Sequence, residues 1–151
     1  MPSITTFLTF DDQAEAAVRH YLSIFEGKIV STVPGPDGAV MGMSFEILGR
    51  SFFALNGGPS FTFTQGISLY VEVDTQEEID RYYSRLLADG GKEVQCGWLV
   101  DKFGVSWQIV PAILPRLFAD KDQARAGRAV QAMMGMQKLD IAALQRAFDG
   151  K

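Results

Sequence analysis

One order of elements, a strand and a helix followed by further strands, occurs twice in this chain and constrains its fold most. The first half predicts a strand at 4–10, a helix at 13–25 and strand-like runs at 28–33, 39–48 and 51–56. Apolar residues at helical spacing give the helix one buried stripe, and turns rich in glycine and proline separate the strand-like runs.

The second half repeats this order at a period of about 60 residues, although the residues themselves are barely similar. A strand, a helix and two further strands are predicted at 67–73, 75–89, 92–100 and 105–110. Thr75 and Glu78 predict a capping box at the start of the helix. The repeat predicts two modules with the same order of elements.

The remaining residues, 112–151, form a helical extension rich in alanine and methionine. Asp140 is a good N-cap for a last helix whose Ile141, Leu144 and Phe148 share one stripe.

Composition excludes several classes of function. The formal net charge is −4, and the most basic stretch, 121–128, is interrupted by neutral and acidic residues. We expect no nucleic-acid binding, because affinity for the phosphate backbone needs clustered cations. Runs of about 20 apolar residues are absent, so we expect no membrane span. The first residues have no basic stretch before an apolar run, and no signal peptide is predicted.

The chain has one cysteine, Cys96, and one histidine, His20. A single cysteine excludes an internal disulfide and a cysteine-based zinc site, and it fits a reducing cytoplasm. We therefore expect a cytoplasmic protein.

The chain resembles the PhnB-like branch of the vicinal-oxygen-chelate superfamily of glyoxalase and bleomycin-resistance proteins. The resemblance rests on VDTQEEIDRYYSRL (73–86), GGKEVQCGWLVDKFGVSWQIVP (90–111) and AMMGMQKLDIAALQRA (132–147), and more loosely on EAAVRHYLSIFEGKI (15–29).

The resemblance implies an α+β fold in which two paired βαβββ modules form a curved sheet with a cleft. The modules would occupy about 1–58 and 66–111 of one glyoxalase-like domain at 1–111, and 112–151 would be the helical C-terminal extension. It also implies a homodimer, in which strands or modules are commonly exchanged.

In metal-dependent members of the superfamily, four side chains, usually His and Glu, hold a divalent ion that the substrate chelates. The resemblance carries these positions onto Thr6, Asn56, Ser68 and Gln108. None is a histidine or a carboxylate, which mid-transition metals prefer in such sites. We therefore expect no metal and no cofactor.

Alternation along 67–74 places Ser68, Tyr70 and Glu72 on the face that should point to the cleft, and Gln108 joins them by the same logic. The candidate substrate-binding residues are Asn56, Ser68, Tyr70, Glu72, Trp98 and Gln108, with Phe61 and Phe63 as alternative aromatic walls. Three alternatives stay open. Gln108 could satisfy a backbone group or water at a dimer seam, Tyr70 could contact a partner subunit, and Glu72 could be solvated.

The predicted function is the binding of a small organic molecule without a metal, with substrate and catalytic residues unknown. One alternative is a metal-dependent lyase, isomerase or dioxygenase of the superfamily, for which Glu46 or Glu72 would matter. Another is a non-catalytic dimeric scaffold. The branch is also labelled 3-demethylubiquinone-9 3-methyltransferase, but methyl transfer is disfavoured, because no G-x-G-x-x-G turn for the usual cofactor is present.

Overall fold

A computed structural model describes residues 1–151, which form eight strands and five helices. In chain order these are β1 (Thr6–Phe10), α1 (Ala14–Ile24), β2 (Gly27–Pro34), β3 (Val40–Ile47), β4 (Arg50–Asn56), β5 (Leu69–Val73), α2 (Gln76–Leu87), β6 (Lys92–Glu93), β7 (Trp98–Val100), β8 (Ser106–Pro111), α3 (Ile113–Phe118), α4 (Gln123–Met134) and α5 (Ile141–Asp149). The order confirms the α+β fold with two βαβββ modules and a helical extension.

Contacts divide the chain into two compact units, which we call unit 1 (Met1–Phe63) and unit 2 (Thr64–Lys151). The sheet of unit 1 has the order β1-β4-β3-β2, and its outer pair β1–β4 is parallel while the others are antiparallel. Helix α1 buries its apolar stripe of Ala14, Ala17, Val18, Tyr21 and Ile24. Buried apolar side chains of the sheet complete the core: Leu8, Phe10, Met43, Phe45, Ile47, Phe52 and Ala54.

The sheet of unit 2 repeats this arrangement in the order β5-β8-β7-β6, with β5 and β8 parallel. Helix α2 begins with the predicted capping box, in which the Thr75 side chain accepts from the Glu78 backbone and the Glu78 side chain accepts from the Thr75 backbone. Its buried residues Ile79, Tyr83 and Leu86 form one stripe. Full burial of an aliphatic side chain such as Ile79 or Leu86 contributes about 1.5–3 kcal/mol.

The predicted strand at 92–100 is two short strands, because the backbone turns between them. Cys96 and the following Gly97 both adopt positive φ, 62° and 87°. A cysteine in this region is strained, and the glycine is not. Cys96 therefore lies in a turn and does not share a strand face with Trp98.

The helical extension belongs to unit 2, where it forms its own apolar cluster with the end of β8. The cluster comprises Val110, Leu114, Leu117, Ala129, Leu139, Leu144 and Phe148. Asp140 caps α5 as predicted, accepting from the Ala143 amide. None of the five helices combines the length and the apolar character that crossing a membrane requires.

Candidate functional site

One face of the unit 2 sheet carries most of the predicted site residues, and we call it the polar face of unit 2. It is defined by Ser68, Tyr70, Glu72, Trp98, Ser106 and Gln108. Gln108 lies opposite Tyr70 on one side and opposite Trp98 on the other in the strand register. Residues directly opposite each other in neighbouring strands point to the same face. The structure therefore aligns Tyr70, Gln108 and Trp98 in one row across three strands.

Gln108 has a specific partner on this face. Its Nε2 atom donates a hydrogen bond of 2.8 Å to Ser68 Oγ, which joins two positions 40 residues apart in the chain. Gln108 is half-buried, and a half-buried amide costs little when it is paired. The bond fixes the side chain of Gln108 against the strand that begins at Leu69.

Two further polar atoms of this face are buried without a hydrogen-bond partner in the chain. Ser106 is 2% exposed, and neither its Oγ atom nor the Nε1 atom of Trp98 has a partner. Ser106 comes two residues before Gln108 and therefore shares its face. Alternation along β8 predicts that Ser106 shares the face of Gln108, but no signal in the sequence indicates that its hydroxyl is buried.

Tyr70 and Glu72 form the more exposed edge of the polar face. Tyr70 is 51% exposed, and partial burial together with the nearby Glu72 carboxylate raises the pKa of its phenol above the ordinary value. The phenol therefore stays protonated at neutral pH. Its hydroxyl can bind a ligand by hydrogen bonding, but it is not poised to act as a phenolate base.

Asn56 and Thr6 belong to unit 1, and both lie on the face of its sheet that α1 covers. Thr6 alternates with Leu8, which is buried, so it shares that side. Asn56 Oδ1 accepts from the Ala14 amide at 2.8 Å, and its Nδ2 donates to the Val40 carbonyl at 3.3 Å. Asn56 thus supplies the N-terminus of α1 with an acceptor that its own N-cap residue does not provide.

The opposite face of the unit 1 sheet is aromatic. We call the row of Phe7, Phe53 and Ser44 across its strands the aromatic face of unit 1. The rings of Phe7 and Phe53 stack with centroids 5.0 Å apart, and Phe7 is 56% exposed. The row continues through Ser44 Oγ, which lies 2.7 Å from Ser31 Oγ. A cavity of about 430 Å³ opens on this face.

The remaining candidate residues, Glu46, Phe61 and Phe63, belong to unit 1. Glu46 lines the cavity of unit 1 and lies 3.9 Å from Lys28 Nζ. Phe61 is exposed, whereas Phe63 packs edge-on against Phe10 at 5.2 Å. Both phenylalanines fall in unit 1.

The residues present do not fit a divalent transition metal. The polar face offers hydroxyl and amide groups and a single carboxylate, Glu72. No group of three or more His, Cys, Asp or Glu in the chain could hold a metal ion. Transition metals select imidazole, thiolate or several carboxylates, and the amide nitrogen of Gln108 donates to Ser68.

Comparison with known families supports the assignment suggested by the fold. The family described as 3-demethylubiquinone-9 3-methyltransferase matches residues 2–110. A PhnB protein from Bacillus cereus, which bears the same methyltransferase description, is 36% identical, with a TM-score of 0.68 over 74% of this chain and 100% of that chain. A comparison with curated proteins found no significant match.

More distant structures share the fold. A Pseudomonas aeruginosa protein is 21% identical, with a TM-score of 0.62 over 74% of this chain and 98% of that chain. The fosfomycin resistance protein FosX from Listeria monocytogenes is 16% identical, with a TM-score of 0.57 over 76% of this chain and 94% of that chain.

The paired βαβββ modules and the family match place the chain in the vicinal-oxygen-chelate superfamily. Within that class, the chain belongs to the PhnB-like family, because the family match spans residues 2–110 and the Bacillus relative is matched over its whole length.

Proposed function

We propose that the polar face of unit 2 binds a small organic molecule and does so without a metal ion. One observation carries the proposal: Tyr70, Gln108 and Trp98 form one row across three strands, in which Tyr70 is exposed and Gln108 is held by its bond to Ser68. Aromatic surface with a few fixed polar groups is typical of small-molecule sites.

A metal-dependent activity finds less support in these residues. Of the two carboxylates that such an activity would use, Glu46 lies near a lysine, and Glu72 stands on a face without a second acid or a histidine. A structure of Listeria FosX contains Mn(II) and a sulfate ion, but at 17% identity this chain shares only its fold.

Methyl transfer is not part of the proposal, although the family carries that description. A methyltransferase of the usual kind binds its cofactor at a glycine-rich turn of a parallel sheet. Both sheets here are mixed, with one parallel pair each.

A fragment screen with detection by ¹H–¹⁵N NMR tests the binding proposal. Binding fragments should shift the resonances of Tyr70, Gln108 and Trp98. Gln108→Leu should lower the affinity for these fragments by about tenfold, because the side-chain amide is lost. Ser31→Ala, which removes a hydroxyl from unit 1, is the matched control and should leave binding unchanged. Fragments that shift only unit 1, or a screen without binders, would contradict the proposal.

The non-catalytic dimeric scaffold is the second candidate, and the exposed Phe7 favours it. Exposed aromatic residues are enriched in protein interfaces, and we propose that a second copy of the chain covers the aromatic face of unit 1. Sedimentation equilibrium should then show a dimer that Phe7→Ser weakens and Phe61→Ser does not. A monomer at all concentrations would exclude this candidate.

A further inference from the structure

The helical extension differs in charge from the rest of the chain. Residues 112–151 contain seven lysines and arginines and four aspartates, a formal charge of +3, whereas residues 1–111 carry a formal charge of −7. The extension also lies beyond the family match, which ends at residue 110. A basic segment attached to an acidic domain favours contacts with acidic partners, because opposite charges attract each other.

An open groove of about 730 Å³, which we call the basic groove, lies between α4 and α5 of the extension. Its cations are Arg128 and Lys151, and none of the residues that line it is acidic. Gln123 and Gln131 contribute amides, and the rest of the lining is alanine and glycine. Because these other lining residues are small, the backbone of a bound polypeptide can approach closely.

Arg128 is held in one orientation in this groove. Its Nε donates to the Ala147 carbonyl at 2.9 Å, and its Nη2 donates to the Phe148 carbonyl at 2.9 Å. Both carbonyls lie near the C-terminal end of α5, where a cation is favourable. A guanidinium has five N–H donors in one plane, so the two bonds orient Arg128 and leave the donors of Nη1 for a carboxylate.

Gly127 keeps the basic groove open. It lies within α4 and lines the groove, and a Cβ atom added there would meet nothing within 4 Å. Glycine within a helix is destabilising relative to alanine. Packing inside the chain therefore does not require a glycine at this position, whereas close approach by a bound segment does.

We propose that the basic groove docks an extended acidic segment of a partner protein. Gln123 and Gln131 lie about 12 Å apart along α4, which is the length of about four extended residues. A carboxylate of the segment accepts from Arg128, and the two glutamine amides can both donate to and accept from its backbone. This role is separate from the ligand proposed for the polar face of unit 2 and does not depend on it.

Three probes test the chemistry of the partner: the peptide acetyl-DADADA-amide, its neutral analogue acetyl-NANANA-amide, and inorganic phosphate. In ¹H–¹⁵N spectra of the full chain, the acidic peptide should shift the amides of Gly127 and Gly150 and the Nε–H of Arg128. Its binding should weaken as the salt concentration rises. The neutral peptide lacks carboxylates and phosphate lacks a backbone, so both should bind at least about tenfold more weakly.

The charge of Arg128 is tested by a matched pair of variants. Arg128→Gln should lower the affinity for the acidic peptide by about tenfold, because a charged hydrogen bond is lost. Arg146→Gln removes the same charge from an exposed position on α5 that does not line the groove, and it should have little effect.

The open space at Gly127 is tested by a second pair, which leaves the bonds of Arg128 to α5 intact. Gly127→Leu should fill the groove and lower the affinity at least about tenfold, while the melting temperature rises because leucine is the better helix former. Gly135→Leu, at the end of α4 and outside the groove, is the control and should leave the affinity unchanged.

Several outcomes would overturn the inference. Equal binding of the neutral peptide would show that charge does not select the partner, and phosphate binding as tight as that of the acidic peptide would show a simple anion site. Equal losses in Arg128→Gln and Arg146→Gln would show nonspecific attraction to the extension. Unchanged resonances of Gly127 and Gly150 with all three probes would exclude docking in this groove.

Discussion

Units 1 and 2 share one strand order and one helix position, but the sheet faces opposite their helices carry different chemistry. The row of Phe7, Phe53 and Ser44 in unit 1 corresponds to Tyr70, Gln108 and Trp98 in unit 2. Apart from Thr6 and Asn56 at strand ends of unit 1, the strand residues on the helix-side faces of both sheets are largely apolar and buried. Packing under the helix therefore maintains the fold in both units, and the side chains of the other face can differ without disturbing it.

The two units also differ in how their sheets are stabilised. Strands β2 and β3 of unit 1 have eight residues each, whereas β6 and β7 of unit 2 have two and three. Unit 2 has fewer hydrogen bonds between these strands. It is stabilised in addition by the apolar cluster of the helical extension and by a buried acid, Asp101, at the turn between β7 and β8.

Asp101→Ala should cause the largest loss of stability. Asp101 is 3% exposed, its Oδ1 accepts from the amides of Phe103 and Val105, and its Oδ2 accepts from Trp107 Nε1. The alanine variant leaves buried donors unpaired, so the free energy of unfolding should fall by more than about 3 kcal/mol in urea denaturation.

The matched control is Asp37→Ala in unit 1, where an exposed turn acid accepts only from the Ala39 amide. We expect a loss below about 1 kcal/mol there. Equal losses in the two variants would show that unit 2 does not depend on its turn acid.

Asn56→Ala should destabilise unit 1 by about 1–2 kcal/mol, because α1 loses the acceptor for its Ala14 amide. Asn56→Asp keeps an acceptor at that position and should recover most of the loss.

Thr75→Ala removes the local cap of α2 and should cost about 1 kcal/mol. Thermal melts of the three variants rank these effects, and an Asp variant as unstable as the Ala variant would refute the capping role.

Gln76→Ala should loosen the helical extension from unit 2 at a cost of about 1 kcal/mol. Gln76 donates to the Leu139 carbonyl at 3.0 Å and accepts from the Ile141 amide at 2.8 Å. Hydrogen exchange should accelerate at the amides of Cys96 and Gly97, which bond to the same segment. Gln145→Ala, within α5, is the control, and unchanged exchange in Gln76→Ala would refute the anchoring role.

Glu78→Gln should have the smallest effect, and it should depend on pH. The pKa of Glu78 lies below its ordinary value of 4.5, chiefly because the Asp74 amide donates to its carboxylate and secondarily because of bonds from Thr75. A lowered folded-state pKa stabilises the fold above the unfolded value, and this contribution is lost as pH falls through the folded pKa. Wild type should therefore lose its advantage over Glu78→Gln below pH 4.5, and a pH-independent difference in melting temperature would contradict this.

The sequence predicts the local features of both units well. Alternation along β5 and β8 places Tyr70 and Gln108 on one face, and the Thr75 capping box follows from residues three apart. Alternation is less reliable for the position of Asn56, because a shift of one residue in a strand moves a side chain to the other face. Its bond to Ala14 spans 42 residues, and the burial of Ser106 depends on packing, so periodicity in the sequence reveals neither.

Metal titration tests the central claim, a ligand site that works without a metal, most directly. Thermal melts and isothermal titration with nickel, zinc, manganese and iron(II) should show no saturable binding at the polar face. Listeria FosX, whose structure contains Mn(II), is the positive control. Stoichiometric binding with a raised melting temperature that chelator and Gln108→Leu both abolish would contradict the account.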